Sequence, residues 1–402
     1  MTTAREERLL TPAFLTLIAT GLCYFTAFGM IVPVLPRFVE GPLGGTDLAV
    51  GLTFGAFGLG AVVLRPVAGR IGDRVGRRVL ILSGAVIAAL ASAAYFAVDG
   101  VPLLVGARAA QGVGEAAFWV GIATTVADLT PEARRGEGMS YFSVALYTGT
   151  AFGPVVGELV LDAADYDGVW LAATSLFVIA AVLSLRCPDV RPAEPSALRS
   201  RFFPRAAYVP GAILFLGICG MVGFAAFVPL YAEDIDFDDV SLVFLVFGLV
   251  TLMIRLVGAR LPDQLGPLRA ITGATVGIAS GLAIIAAWNG VAGLFVGAVV
   301  LAVGMALLYP GAMTLALTGV PENQRAGVVG AVSMCFDLAG AFGALALGAI
   351  ASLAGLRGVF VGGALLAIAG LVVLRSGLDP RVREHGAAVR PDEELHEPEI
   401  TS

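Results

Sequence analysis

Long apolar segments, interrupted by short polar or Gly/Pro-rich stretches, constrain the fold of this chain more than any other feature of its sequence. A helix that crosses a lipid bilayer needs about 20 apolar residues, whereas the strands of a membrane barrel are shorter and alternate in polarity. Twelve such segments are present: 12–36, 48–68, 79–98, 101–128, 138–161, 167–186, 209–231, 240–259, 270–288, 291–317, 327–353 and 357–375. We therefore predict an all-α integral membrane protein with twelve transmembrane helices.

The composition agrees with a membrane protein and excludes several kinds of catalytic site. Charged residues make up 14% of the chain, compared with about 25% in soluble proteins. All 25 basic residues are arginine, so the chain has neither a Walker A lysine nor a Schiff-base lysine. The two histidines, His385 and His396, lie in the polar C-terminal tail, and the cysteines form no CxxC pair. We expect no enzyme activity, no cofactor and no bound metal.

The arginines predict how the chain lies in the membrane. Cytoplasmic loops of membrane proteins are enriched in Lys and Arg. If the N-terminus is cytoplasmic, nearly all loop arginines are cytoplasmic, and only Arg37 and Arg357 lie outside. The outer loop "EDIDFDD" (233–239) is acidic instead. We predict cytoplasmic N- and C-termini and a multi-pass location in the cell membrane.

An internal repeat divides the chain into two similar halves. The stretch "RPVAGRIGDRVG" (65–76) recurs as "RLVGARLPDQLG" (255–266), 190 residues later. The same offset places Pro131 on Pro321 and Gly153 on Gly343. Because six is an even number, both six-helix halves enter the membrane in the same sense, as in a parallel repeat. Such halves can rock against each other around a central cavity.

One long polar break, "CPDVRPAEPSALRSRFFPR" (187–205), is Pro-rich and basic and separates six apolar segments from the other six. The predicted domains are an N-terminal six-helix bundle (1–186), a cytoplasmic linker (187–208), a C-terminal six-helix bundle (209–375) and a disordered cytoplasmic tail (376–402).

Three short motifs stand out: "GRIGDRVGRR" (69–78), "RAAQGVGEA" (108–116) and "GTAFGPVVGE" (149–158). Through them the chain resembles the major facilitator superfamily, and in particular its twelve-helix drug:proton antiporter branch. They match that family's loop pattern G-x-x-x-D-x-x-G-R-R/K, its helix 4 pattern R-x-x-Q-G and its helix 5 antiporter pattern G-x-x-x-G-P-x-x-G. The loop motif implies a cytoplasmic gate formed by Gly69, Arg70, Asp73, Gly76, Arg77, Arg78 and the repeat copy Asp263. The helix 4 motif consists of Arg108, Gln111 and Gly112. The helix 5 motif consists of Gly149, Gly153, Pro154 and Gly157.

The resemblance implies that Asp73 latches the cytoplasmic side shut in the outward-facing state. An anion at the membrane surface can face the positive N-terminal end of a helix, here the eleventh, which starts near Gly327. The alternative is a plain positive-inside anchor, which explains the arginines but not Asp73 or its repetition at Asp263. We favour the latch.

Ionisable side chains inside the fourth and eleventh segments are candidate proton sites, because a charge within the bilayer is costly and usually functional. Arg108, Gln111 and Glu115 share one face of a helix. Arg108 and Glu115 lie about 10 Å apart along its axis, so a water or substrate could bridge them. Asp337 lies about 15 Å into its helix. Glu115, Asp337 and Arg108 are candidates for proton coupling, with a structural polar network as the alternative. Glu158 is expected at the outer interface.

The helix 5 glycines and several aromatic side chains complete the prediction. The glycines and Pro154 indicate a close, kinked helix contact that would seal the protein against proton leak. Aromatic side chains on helices that resemble the family's cavity-lining helices would form an adaptable substrate pocket. The pocket candidates are Tyr24, Phe28, Phe118, Trp119, Phe227 and Phe336.

Together these features predict a secondary active transporter that exports small amphipathic or drug-like molecules in exchange for protons. Its expected partners are a small-molecule substrate, protons and the lipid bilayer; we expect no nucleic acid partner and a monomer. The main alternative is a proton-coupled uptake permease of the same fold for a sugar, organic acid or peptide, against which the helix 5 motif argues. A membrane-embedded enzyme or receptor is a weaker alternative, because the chain lacks paired His, a Ser/His site and a complete GxGxxG sequence.

Overall fold

The computed structural model describes residues 11–130, 134–189, 204–257 and 266–377, and within these ranges every regular element is helical. Nine of the described helices are long and apolar enough to cross a membrane. The α-helices are α1 (Pro12–Glu40), α2 (Asp47–Val75), α3 (Arg77–Ala93), α4 (Val101–Leu129), α5 (Arg135–Ser184), α6 (Tyr208–Asp234), α7 (Val240–Val257), α8 (Pro267–Ala287), α9 (Val291–Leu317) and α10 (Glu322–Gly377).

Two elements, α5 with 50 residues and α10 with 56, are much longer than one bilayer span requires. Each contains a break: Ala164 and Asp165 depart from helical geometry in α5, and Gly355 adopts a positive φ of 72° in α10. A Cβ placed on Gly362 would lie 3.1 Å from Leu347, so the chain turns back at Gly355. In a straight helix these two residues would be about 22 Å apart.

The two breaks and the omission of α4 account for the difference between the nine described helices that could cross a membrane and the twelve predicted segments. The long elements α5 and α10 each hold two of those segments, and α4, which carries Arg108, Glu115 and Asp128, is not among the nine. The all-helical prediction is confirmed for the described residues, whereas the count of twelve stays a prediction.

Gly76 sets the sharp turn between α2 and α3. Its φ of 103° belongs to the left-handed region that favours glycine. A side chain at this position would also overlap the carboxylate of Asp189. The repeat copy, Gly266, precedes α8 with a φ of 78°. The repeated sequence therefore encodes the same turn twice.

Buried apolar residues form two clusters, one drawn mainly from residues 14–187 and the other mainly from residues 207–374. This division parallels the predicted halves. Residues 190–203, within the predicted linker, and residues 378–402, within the predicted tail, lie outside the described residues. The domain boundaries therefore stay predictions.

The halves meet mainly along two helix pairs, α2 with α10 and α5 with α7, with a smaller contact between α1 and α6. A Cβ on Gly58 of α2 would lie 2.8 Å from the Cα of Ala341 in α10. A Cβ on Gly248 of α7 would lie 2.7 Å from the Cα of Ala151 in α5. Because 58 and 248, like 151 and 341, differ by 190, these two close contacts are equivalents under the repeat. The interface therefore has approximate twofold symmetry.

Candidate functional site

Arg65 joins the two halves in the middle of the bundle. Its Nη2 donates a hydrogen bond to Oε2 of Glu115 in α4 at 2.8 Å. Its Nε lies 2.8 Å from Oδ2 of Asp337 in α10, as an ion pair that lacks the alignment of a hydrogen bond. Glu115 belongs to the same half as Arg65, whereas Asp337 belongs to the other. One guanidinium therefore pairs with both predicted proton sites and bridges the halves.

These three charges are deeply placed. Glu115 lies 14 residues into the 29-residue helix α4, which puts it about 21 Å from either end at 1.5 Å per residue. The side chain of Asp337 is only 4% exposed and that of Arg65 only 19%. At such depth a lone charge would be costly, so each member of the cluster depends on the others.

Arg108 makes direct contacts with Gln111 and Tyr95 rather than with Glu115. Its Nη1 donates to Oε1 of Gln111 at 2.6 Å, and the Tyr95 hydroxyl donates to the same oxygen at 2.8 Å. A water- or substrate-mediated bridge to Glu115 stays a prediction. The guanidinium carbon of Arg108 lies 4.6 Å from the ring centroid of Phe57 in α2. The motif residue Gly112 permits this arrangement, because any side chain there would overlap the Phe57 backbone. Arg108 is therefore a buried link between α2 and α4.

Arg65 has an equivalent in the other half of the interface. Arg255 of α7 lies 190 residues later, and its guanidinium carbon is 4.4 Å from the ring centroid of Tyr147 in α5. Tyr147 is the repeat equivalent of Asp337.

Sequence reasoning missed Arg65 and Arg255 as site residues. Both arginines lie inside predicted apolar segments, 48–68 and 240–259. Both also open the repeated stretch, so they were treated as markers of the repeat. Their position within an apolar segment was the signal that could have found them, because a charge there calls for a partner.

A second arginine-centred cluster lies where α1 ends, at what we call the Arg37 end of the bundle. Arg37 Nη1 donates to Oε2 of Glu158 in α5 at 2.8 Å, and its Nε lies 2.7 Å from Oε1 of Glu233 in α6. Glu158 is buried between the helices at this end of the bundle, beside Arg37, and its position at the outer membrane interface stays a prediction. As in the Arg65 cluster, the hydrogen bond, here from Arg37 to Glu158, joins two helices of the same half. The ion pair, here between Arg37 and Glu233, joins helices of different halves.

The gate motif lies at the opposite end, around the turn at Gly76. Arg77 Nε is 3.4 Å from Oδ2 of Asp128, and Arg78 Nη1 donates to the Leu185 carbonyl at 3.5 Å. Arg70 is exposed. The side chain of Asp73 and the whole of Asp263 lie outside the described residues, so the latch stays a prediction.

The helix 5 glycines pack α5 closely on α1 within the N-terminal half. A Cβ on Gly153 would lie 2.7 Å from the Cα of Gly29, and Gly149 and Gly157 likewise face the α1 backbone. The close helix contact read from the motif is therefore present, with Pro154 inside α5. Its role against proton leak stays a prediction.

The aromatic pocket prediction needs correction for three of its six residues. Tyr24 and Phe118 stack with centroids 3.7 Å apart, and Tyr24, Phe118 and Phe227 are at most 1% exposed. They are core residues in this conformation, Tyr24 and Phe118 through ring stacking and Phe227 by burial within the bundle. Phe28, which packs on Phe57 at 5.2 Å, Trp119 and Phe336 remain partly exposed.

The comparison with protein families identifies the chain. The model of the Major Facilitator Superfamily matches residues 17–290 and 211–399. The chain belongs to the Major Facilitator Superfamily. Its members are transporters and not enzymes, and the chain is accordingly a multi-pass membrane protein.

Several curated superfamily members are similar in sequence. Multidrug resistance protein 1 of Bacillus subtilis is 27% identical over 229 residues, which is 54% of this chain and 58% of that protein. An uncharacterized MFS-type transporter of Salmonella typhimurium is 25% identical over 332 residues, covering 81% and 85% of the two chains. The quinolone resistance protein NorA of Staphylococcus aureus is 23% identical over 161 residues, 40% of this chain and 41% of that protein. The matches to the two resistance proteins thus span about half of their length or less.

Solved structures of superfamily members share the fold. A POT family transporter in complex with 5-aminolevulinic acid superposes with a TM-score of 0.78 at 14% identity, covering 92% of this chain and 96% of that one. The human organic anion transporter MFSD10 (TETRAN) superposes with a TM-score of 0.71 at 18% identity, covering 90% and 100%. At these identities the likeness shows the superfamily fold.

Proposed function

We propose that this superfamily member is a proton-driven exporter of small amphipathic or drug-like molecules in the cell membrane. In this proposal the chain forms twelve transmembrane helices in two six-helix halves and works as a monomer with both termini in the cytoplasm. The resistance proteins among its relatives support a drug-like substrate, and the helix 5 motif supports export.

The observation that carries the proposal is the sharing of Arg65 between Glu115 and Asp337. Each carboxylate can hold a proton, and a protonated carboxylic acid no longer forms an ion pair with arginine. The consequences differ for the two acids. Protonation of Asp337 removes the ion pair between the halves, while the hydrogen bond from Arg65 to Glu115 keeps the guanidinium neutralised.

This difference assigns a role to each residue. Asp337 is the proton carrier whose charge state decides whether α2 and α10 are tied together. Glu115 holds Arg65 in place when Asp337 is neutral, so that no unpaired arginine remains in the apolar interior. Proton entry is thereby linked to movement of one half against the other.

The conformation described here fits one stage of such a cycle. At the Arg37 end the halves are tied by Arg37 and Glu233, and a Cβ on Gly348 of α10 would lie 3.0 Å from the Cα of Gly51 in α2. At the opposite end, Gly69 and Gly330 of the same two helices have no described atom within 4 Å of a Cβ position. We take this as a state open towards the gate motif, which the latch would close in the alternate state.

Transport into inverted membrane vesicles tests the proposal. A proton gradient is imposed, and cationic, anionic and neutral fluorophores are tested for uptake and for substrate-induced proton movement. Antiport predicts that substrate accumulates as protons leave. Accumulation together with protons moving in the same direction would instead indicate the permease alternative.

Variants separate the roles of the two acids. Asp337→Asn should abolish gradient-driven transport while substrate binding remains measurable. Asp167→Asn, which removes an exposed carboxylate of α5, is the matched control and should transport normally. Unchanged gradient-driven transport by Asp337→Asn would remove Asp337 from the coupling mechanism.

A further inference from the structure

At the interface between the halves, Arg255 has no carboxylate partner among the residues that the structure describes. Its guanidinium lies against the ring of Tyr147, and its Nε is buried with no hydrogen-bond partner. The side chain is nevertheless partly exposed, so part of it is accessible to a ligand.

The charge balance of the interior makes this feature unusual. Within the described residues, the middle of the bundle holds three arginines, Arg65, Arg108 and Arg255, and two carboxylates, Glu115 and Asp337. Arg65 is paired with both carboxylates. Arg108 is 1% exposed and donates to Gln111, so no ligand reaches it. The excess positive charge is therefore accessible at Arg255 alone.

We propose that Arg255 binds the carboxylate of an amphipathic organic anion, whose apolar body lies against Tyr147. A guanidinium presents a planar pair of donors that matches a carboxylate. A single negative charge balances the interior, whereas a doubly charged phosphate would leave it negative. The aromatic face beside the arginine suits an aromatic or aliphatic body. This inference rests on the proposed transport function and names its substrate class.

The location of Arg255 also links binding to movement. The contact between Arg255 and Tyr147 joins α7 to α5 across the halves, as the contact between Arg65 and Asp337 joins α2 to α10. A carboxylate that engages the guanidinium draws it from the tyrosine ring. Substrate and proton therefore each loosen one of two equivalent contacts between the halves.

Fluorescent probes of one scaffold and different charge test the inference by direct binding. The full-length chain in lipid nanodiscs is titrated with dansylglycine, an anion, and with dansylglycinamide, its neutral amide. A charge-assisted pair predicts that dansylglycine binds about 10- to 100-fold more tightly than the amide. Arg255→Gln should bring the two affinities within about twofold of each other. Arg269→Gln, which removes an exposed arginine from the same half, is the matched control and should keep the preference.

The titrations either support the inference that Arg255 binds a carboxylate or overturn it. Equal binding of acid and amide to the natural chain, absence of saturable dansylglycine binding, or a preference retained in Arg255→Gln would overturn the inference. If Arg255→Gln does not fold, Arg255→Lys keeps the charge but loses the paired donors, and an undiminished acid preference in that variant would also overturn it. Because binding needs no gradient, an acid preference stands even if the vesicle experiment excludes proton antiport.

Discussion

Replacement of Arg65 by glutamine should destabilise the protein strongly, because it leaves two buried carboxylates without a countercharge. Glu115 and Asp337 both depend on this one guanidinium, and the Asp337 side chain is 4% exposed. Removal of one partner from a buried ion pair typically costs about 3–5 kcal/mol. We expect Arg65→Gln to lose at least that much stability.

The repeat supplies a matched control for this change. Arg255→Gln removes the equivalent arginine, but its partner Tyr147 is uncharged and only a cation–π contact is lost, worth about 0.5–2 kcal/mol. The two variants should therefore differ by about 1–4 kcal/mol. Both are compared with the natural chain by the midpoint of thermal unfolding in detergent micelles.

The pH dependence of the same measurement identifies the cause. As pH falls, the stranded carboxylates of Arg65→Gln bind protons and become neutral, so the cost of burying them falls. The deficit of Arg65→Gln should shrink with decreasing pH, while that of Arg255→Gln should not change with it. The triple variant Arg65→Met/Glu115→Gln/Asp337→Asn has none of the three charges. It should therefore regain most of the stability that Arg65→Gln loses relative to the natural chain.

Two results would refute this reasoning. If Arg65→Gln and Arg255→Gln unfold at the same temperature, the carboxylates do not depend on Arg65. If the deficit of Arg65→Gln is the same at every pH, the loss arises from packing and not from unpaired charge.

Two further predictions concern the ends of the bundle. Arg37→Gln removes the ion pair to Glu233 and should shift the protein away from the conformation closed at the Arg37 end. In a chain whose four native cysteines are replaced by alanine, a cysteine introduced at the buried Ala344 of α10, beside Gly51 of α2, should then react faster with a polar thiol reagent, and an unchanged rate would contradict the role of this ion pair. Asp73→Asn should slow substrate turnover in vesicles without reducing the amount of inserted protein, because the proposed latch would be lost, and normal turnover would exclude it.

Much of the fold could be predicted because its determinants are local or repeated in the sequence. Apolar segments of bilayer length indicate helices directly, and a constant offset of 190 residues reveals two halves. The same offset pairs the turn glycines Gly76 and Gly266, which both adopt positive φ. Glycine spacing in the helix 5 motif also predicted close packing, which the contact of Gly153 with α1 provides.

The partners of the charged residues could not be predicted, because they depend on how separate helices rotate and approach. Helical spacing placed Arg108 and Glu115 on one face, and this suggested that they act together. In the folded chain Gly112 lets α2 approach α4, which covers Arg108 with Phe57 and brings Arg65 to Glu115. Aromatic residues were misplaced for a similar reason, since stacking such as that of Tyr24 on Phe118 is a property of the packed bundle.

The difference between the two halves at one repeat position suggests how a symmetric interface can drive a directed movement. Arg65 and Arg255 are equivalent, but one faces Asp337 and the other faces Tyr147. A carboxylate can exchange its charge for a proton, whereas the tyrosine ring attracts a guanidinium without any proton transfer. In the proposed cycle, protonation of Asp337 therefore releases only the ion pair between α2 and α10, while the contact between α5 and α7 persists. Because the contact between Arg255 and Tyr147 is kept while the ion pair between Arg65 and Asp337 is broken, the halves can pivot about the first contact instead of separating. The contact between Arg255 and Tyr147 breaks only when a substrate carboxylate replaces Tyr147 as the partner of Arg255.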